Sequence, residues 1–182
     1  RTMTSQGMRL LMEYPEQYRM LVDDPSLIPD AVEEILRFNP AVMNFRRTVT
    51  EPTEVGGQAL ATGDKVVMFY QAASRDEAVF ENPDCFDITR PRREDVRNNH
   101  RAFGIGEHFC LGSHLARLQL TIVFEELAKR IRNPRLGGEI KWLRSNFIHG
   151  IKEMPMTFEV AGAPESIADA QVLQGHPVGA DL

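Results

Sequence analysis

Residues 103–112 read Phe-Gly-Ile-Gly-Glu-His-Phe-Cys-Leu-Gly, with three glycines around a single cysteine at the mouth of a long helical pattern. Glycine lets the backbone turn tightly and lets a flat partner come close. A thiolate just ahead of a helix is favoured by the helix dipole and by unpaired N–H groups, a setting common to ligands and nucleophiles. An isolated cysteine is more often buried and inert. Here Phe103, Gly104, Gly106 and Gly112 crowd around Cys110 and count against that reading. A dinucleotide fingerprint is excluded, because Gly-x-Gly-x-x-Gly needs a glycine where Phe109 stands. A metal site stays open: Cys110 and His114 share a helix face, His108 is close, and zinc takes His and Cys ligands, although no fourth ligand is evident. A Cys110–His108 nucleophile and base pair stays open as well.

Working outward, a helix is expected from about Leu111 to Ile131, with Leu111, Leu115, Leu118, Ile122 and Leu127 as one apolar stripe and Leu120, Val123 and Phe124 widening it. Two strands are expected around residues 146–150, the better one over 154–160. From residue 161 the chain is rich in Ala, Pro and Gly without a period, so the expected organisation is one domain over 1–160 and a loose tail over 161–182. Upstream, Met3, Met8, Leu11 and Met12 fall at helical spacing, so a helix is already under way at Arg1 and preceding residues are expected to be missing. A second helix is expected over 15–24, and a third from Leu27 to Phe38, capped by Ser26 and stopped by Pro40. Residues 45–50 and 65–70 read as strands, separated by turn chemistry at Gly56, Gly57, Gly63 and Asp64. Residues 74–101 read as an ordered, irregular meander, broken by Pro83 and Pro91. The fold class is therefore mainly α with small antiparallel β-sheets.

Composition limits the function. With 182 residues, 42% hydrophobic and 26% charged, the chain can bury a sizeable core and is not expected to be disordered. A net charge of -5 argues against wholesale nucleic-acid binding. Cys85 and Cys110 form no Cys-x-x-Cys pair, which fits a reducing cytoplasm. No apolar run reaches the roughly 18 residues that cross a bilayer, so no membrane anchor is expected.

Glu34 and Arg37, three apart on the third expected helix, share a face. Alone, an exposed pair of that kind contributes only a few tenths of a kcal/mol. In order, however, Glu-Ile-Leu-Arg (34–37), Phe-Arg-Arg-Thr-Val-Thr-Glu (45–51), Pro-Asp-Cys-Phe-Asp-Ile-Thr-Arg (83–90) and the cysteine loop with its following Ser-His-Leu-Ala-Arg (103–117) strongly resemble the C-terminal part of bacterial cytochrome P-450 haem-thiolate monooxygenases. The resemblance covers essentially residues 1–160. It implies the C-terminal, haem-binding half of that fold, with Cys110 as proximal ligand of haem b. Phe103, Gly104, Gly106 and Gly112 would shape the cofactor site, and Arg47 and His108 would hold the haem propionates. Glu34, Arg37 and Arg90 would form a buried structural triad. Met43, Phe147 and Ile148 would line an apolar substrate pocket.

The implied reaction is insertion of one oxygen atom of O2 into a C–H bond of a hydrophobic substrate, sterols and lipids being the suggested class. The implied electron donor is a ferredoxin-type protein, docking near Cys110 where Arg101, Arg117, Lys129 and Arg130 carry positive charge. The distal helix of the family, with its acid–alcohol pair, would precede Arg1, so these residues alone are not expected to turn over. The competing reading is a non-catalytic haem- or metal-binding domain using Cys110 with His108 or His114. His100 and His149 read as ordinary polar residues.

Overall fold

The computed structural model describes residues 1–162, so the expected tail lies, beyond Gly162, outside the described residues. The methionine and leucine spacing produces α1 (Thr2–Glu13), and Pro15, whose missing N–H costs nothing at a helix start, opens α2 (Pro15–Asp23). A 3₁₀ turn at Pro25–Leu27 leads into α3 (Ile28–Phe38). The cap differs from expectation. Asp24 accepts the Ser26 N–H at 3.0 Å, because the added 3₁₀ turn moves the helical start back to Pro25 and leaves Ser26 inside it.

Strands β1 (Asn44–Thr48) and β4 (Lys65–Phe69) pair antiparallel, with Phe45 opposite Met68 and Arg47 opposite Val66. Between them lies a hairpin, β2 (Thr53–Val55) with β3 (Gln58–Leu60), where only turns were expected. Its two-residue loop, Gly56-Gly57, has φ of 57° and 80°, as a mirror-image hairpin turn requires. A short α4 (Tyr70–Ala73) opens the meander, which contains a 3₁₀ turn at Arg90–Arg92 and α5 (Val96–Asn99). After the cysteine loop come α6 (Ser113–Arg130), β5 (Ile131–Leu136), β6 (Lys141–Trp142), β7 (Ile151–Glu153) and β8 (Met156–Val160). Strand β5 pairs with β8 and β6 with β7, both antiparallel. Helices mixed with small antiparallel sheets are the fold class read from the sequence. No helix among the described residues is long and apolar enough to cross a membrane.

The core lies among α1, α2, α3 and α6. Leu10, Leu11, Leu21, Ile28, Val32, Ile35 and Leu36 fill it, and the meander contributes Phe86 and Ile88. The face of α6 that enters this core is not the stripe expected. Leu120, Phe124 and Ala128 are buried, whereas Leu115, Leu118 and Ile122 are half or more exposed and Leu111 is 99% exposed. The helix is apolar on more than one side, so periodicity alone does not choose a face. Shape chooses it: the Phe124 ring packs where α1 carries Gly7, and a Cβ at that position would lie 2.6 Å from Phe124 Cζ and 3.0 Å from Ile35 Cδ1.

A Gly7→Ala substitution therefore sets two effects against each other. Alanine favours the helix by about 1 kcal/mol, but overpacking a closed core costs about 1–3 kcal/mol. Both neighbours are buried side chains with little room to yield, which puts the cost in the upper half of that range, so the expected net result is a loss of stability of about 1–2 kcal/mol in urea unfolding. Equal or greater stability would show that the α1–α6 contact is not tight.

Candidate functional site

The cysteine loop is closed by its own backbone. The Cys110 N–H donates to the Phe103 carbonyl at 3.0 Å, and the Cys110 carbonyl accepts the Ser113 N–H at 3.2 Å as α6 begins. Gly104 and Gly106 stand at φ of 77° and 71°, the left-handed region that glycine enters without strain. Gly104 is doubly constrained, because a Cβ there would meet the Tyr70 hydroxyl at 3.0 Å. The result is an outward-facing, unpaired thiol at Cys110. Around it Ile105, Phe109 and Leu111 are exposed apolar side chains. Gly112 lies beside the sulfur, its would-be Cβ 3.9 Å from Cys110 Sγ.

Among the described residues no three or more His, Cys, Asp or Glu side chains gather to hold a metal ion. His108 ends the 3₁₀ turn Gly106–His108 and His114 lies in the first turn of α6, both exposed. One thiol on an apolar, glycine-shaped surface does not suit tetrahedral zinc, which needs four ligands. It does suit a flat, largely apolar prosthetic group whose metal would take one sulfur ligand from the protein.

Behind the loop, Glu34, Arg37 and Arg90 converge. Glu34 and Arg37 are fully buried. Arg37 reaches Glu34 with two bonds, Nε to Oε2 at 2.7 Å and Nη2 to Oε1 at 2.9 Å, and Arg90 Nε reaches Glu34 Oε1 at 3.3 Å. The remaining donors go to meander carbonyls, Arg37 to Ser74, Pro83 and Cys85, and Arg90 to Glu81, Asn82 and Cys85, with Arg90 Nη1 also on the Glu94 carboxylate at 3.1 Å.

The residues expected on the substrate side are also brought together. The Met43 N–H donates to the Phe147 carbonyl at 2.9 Å, and Val42 forms a bridge with Ile148. The Phe45 ring stands edge-on to Phe147 at 5.3 Å and lies 5.8 Å from Tyr70. Since the Tyr70 hydroxyl abuts Gly104, an aromatic file runs from this wall to the cysteine loop. Tyr70 was missed in the sequence because it reads there as the last residue of a strand. Arg47 shares the Phe45 face of β1, its guanidinium 5.8 Å from the Phe45 ring, which separates it from its neighbour Arg46.

Two histidines have larger roles than expected. His149 stacks on Trp142 with ring centroids 5.3 Å apart, and its carbonyl accepts from the buried Gln6 side chain at 2.8 Å. Burial, aided by the charge of Arg9, pushes the His149 imidazole below its usual value. His100 is buried against Glu33, with Nε2 3.1 Å from Oε2. Burial would raise the Glu33 carboxyl, but hydrogen bonds from His100 and Arg117 and the Arg117 charge more than reverse this and hold it below the ordinary range. The expected basic surface is thereby reduced. Arg117 is paired with Glu33, and Lys129 and Arg130 with Glu126, whereas among the described residues the Arg101 side chain bonds only to the Asn98 and His100 carbonyls. With Arg97 and His114 it lines a cleft beside Gly104 and Phe109.

Comparison with known proteins gives the family and the fold. The sequence model of the Cytochrome P450 family matches residues 21–132. Cytochrome P450-terp of Pseudomonas sp is 43% identical over 83% of this chain and 34% of its own length. Linalool 8-monooxygenase of Pseudomonas putida is 42% identical over 79% of this chain and 34% of its own length. Steroid C26-monooxygenase of Mycobacterium tuberculosis is 40% identical over 85% and 41%. The chain thus spans little more than a third of these relatives. Among solved structures, Cytochrome P450-153 from Novosphingobium aromaticivorans superposes with a TM-score of 0.81 at 40% identity, covering 87% of this chain and 39% of that one.

Glu34→Gln leaves the buried Arg37 without a carboxylate partner among the described residues and Arg90 with Glu94 alone, so it is expected to cost about 3–5 kcal/mol in urea unfolding; a loss under about 1 kcal/mol would mean the cluster is not structural. A second expectation concerns pH. Because His149 is held below its ordinary value of 6.5, the unfolded chain takes up that proton first as the pH falls. Its contribution is therefore neutral above pH 6.5 and increasingly destabilising below it. Urea midpoints between about pH 7.5 and about pH 5.5 should fall less steeply for His149→Gln than for the parent chain, and equal slopes would contradict the assignment.

Proposed function

Because the chain belongs to the cytochrome P450 family, we propose that it supplies the haem-ligating part of a monooxygenase, with the Cys110 thiolate binding haem b. The observation that carries this reading is the outward-facing Cys110 thiol on a glycine-shaped loop, flanked by exposed apolar side chains and without further ligands gathered around it. When bound, a haem with a thiolate ligand, the ligand type of this enzyme class, supplies the activation of O2 that lets one oxygen atom enter a C–H bond.

The chain's own residues then have distinct tasks. Cys110 would hold the haem iron through its sulfur, and the backbone N–H groups that follow it would tune that sulfur. Phe103 offers an apolar surface to the ring, Gly104 and Gly106 allow the close approach, and Gly112 leaves room beside the sulfur. Arg47 and His108 hold propionate carboxylates through charge-assisted hydrogen bonds. The wall of Met43, Phe147 and Ile148 keeps water away and receives an apolar substrate.

The relatives bear names that refer to linalool and to a steroid, and another, from Mycobacterium bovis, is a methyl-branched lipid omega-hydroxylase. A hydrophobic terpenoid, sterol or lipid is accordingly the proposed substrate class. The face carrying Arg97 and Arg101 suits an acidic electron carrier of the ferredoxin type, and a cytoplasmic setting fits two free thiols. By themselves these 182 residues are expected not to turn over, since Ile105, Phe109 and Leu111 beside Cys110 stand exposed to water.

The test is the absorption spectrum of the reduced, carbon-monoxide-bound protein. A strongly red-shifted Soret band is expected in the parent chain and in Cys85→Ala, and its loss in Cys110→Ala. Equal spectra in the two variants would remove Cys110 from the ligand position.

A further inference from the structure

Glu33 and Glu34 are neighbours on α3, yet they serve different partners. Successive helical residues point about 100° apart, and while Glu34 reaches the meander, Glu33 reaches the segment that enters the cysteine loop. Arg117 of α6 grips Glu33 with a fork, Nε to Oε1 at 2.6 Å and Nη2 to Oε2 at 3.1 Å. His100 meets the same carboxylate through Nε2 at 3.1 Å. The other ring nitrogen of His100, Nδ1, accepts the Ala102 N–H at 3.2 Å, so the imidazole proton belongs on Nε2 and is donated to Glu33.

Both partners of Glu33 touch the loop aromatic. The Arg117 guanidinium lies 4.8 Å from the Phe103 ring centroid, and the His100 ring is 6.0 Å from it. The carbonyl of Phe103 is the group that accepts the Cys110 N–H. Ala102 is thus tied by its backbone and Phe103 by its ring face, on either side of the bond that closes the loop on the cysteine.

We infer that Glu33, His100 and Arg117 form a positioning cluster that holds Phe103 and, through the Phe103 carbonyl, fixes the direction in which the Cys110 sulfur points. The inference rests on Cys110 being the haem ligand. The cluster is separate from the Glu34 group: it shares no side chain with it, and it acts on the loop and not on the meander. A planar guanidinium suits both of its duties, the bidentate grip on a carboxylate and the flat contact with an aromatic ring, and an ammonium performs neither. Arg117 is accordingly withdrawn from partner binding and committed to the loop.

Deleting Glu33 would leave the partly buried Arg117 without its carboxylate and could unfold the protein, so the informative variant is Arg117→Lys, which keeps the charge beside Glu33 and loses the flat contact. Hydrogen exchange of the full chain before haem is added should then be severalfold faster in residues 103–112, because the ammonium loses the fork on Glu33 and the stacked plane on Phe103. Exchange in residues 85–90, around the Glu34 group, should not change. After haem is bound, the share of the red-shifted carbon-monoxide band should fall. Phe103→Leu should produce the same two changes, and the double variant should add little to either. The inference is overturned if exchange in 103–112 and the band both keep their parental values, or if 103–112 and 85–90 loosen together. If the parent chain shows no red-shifted band, the ligand assignment fails by itself, and the exchange pattern alone then decides whether the cluster holds the loop.

Discussion

A carboxylate with no exposed surface, Glu34, is held between two guanidiniums that are themselves out of water. Burying one anion and two cations costs several kcal/mol per ion unless every lone pair and N–H finds a partner. Glu34 alone cannot neutralise both cations; Arg90 also reaches the Glu94 carboxylate at 3.1 Å, and the remaining donors are satisfied by backbone. Arg37 and Arg90 together bond to carbonyls between Ser74 and Cys85, and Glu34 Oε1 takes the Asp87 N–H at 3.0 Å. Residues of the meander have no long helix or sheet in which to pair their peptide groups. The two arginines take the place of that ladder, so the irregular segment keeps a fixed path across α3.

The rest follows from that path. Phe86 and Ile88 are delivered to the helical core, and His100 arrives where it can meet Glu33. Only then does the chain turn through the left-handed glycines of the cysteine loop into α6. A loop that must present an exposed sulfur cannot be stabilised by burying it. Its order has to be supplied from behind, by Tyr70 against Gly104 on one side and by Arg117 over Phe103 on the other.

Much of this was legible in the sequence where the signal is local. Prolines and apolar spacing mark α1 to α3, and the glycine and cysteine pattern marks the loop. Where several answers satisfy the same local rule, the sequence is silent. The apolar residues of α6 allow more than one buried face, and only the hollow at Gly7 selects Phe124. The short β5 follows α6 with no break, and its register shift between Arg132 and Arg135 surrounds Asn133 at φ 47° and Pro134, which conceals any alternation. The hairpin at Gly56-Gly57 did carry a signal, two glycines between short runs of strand formers. Glu33, His100 and Arg117 lie 67 and 17 residues apart in sequence, and no periodicity announces a cluster assembled over such separations.

That two adjacent glutamates on one helix anchor two different parts of the chain limits how this segment can change in length. One residue inserted or removed between Ile28 and Glu33 would swing both carboxylates by about 100° and detach the meander and the cysteine loop in a single event. The hairpin over residues 53–60 shares no such anchor, and its strand side chains are mostly exposed. Variation in chain length is thus tolerable in the hairpin and excluded from α3, however conservative the inserted residue.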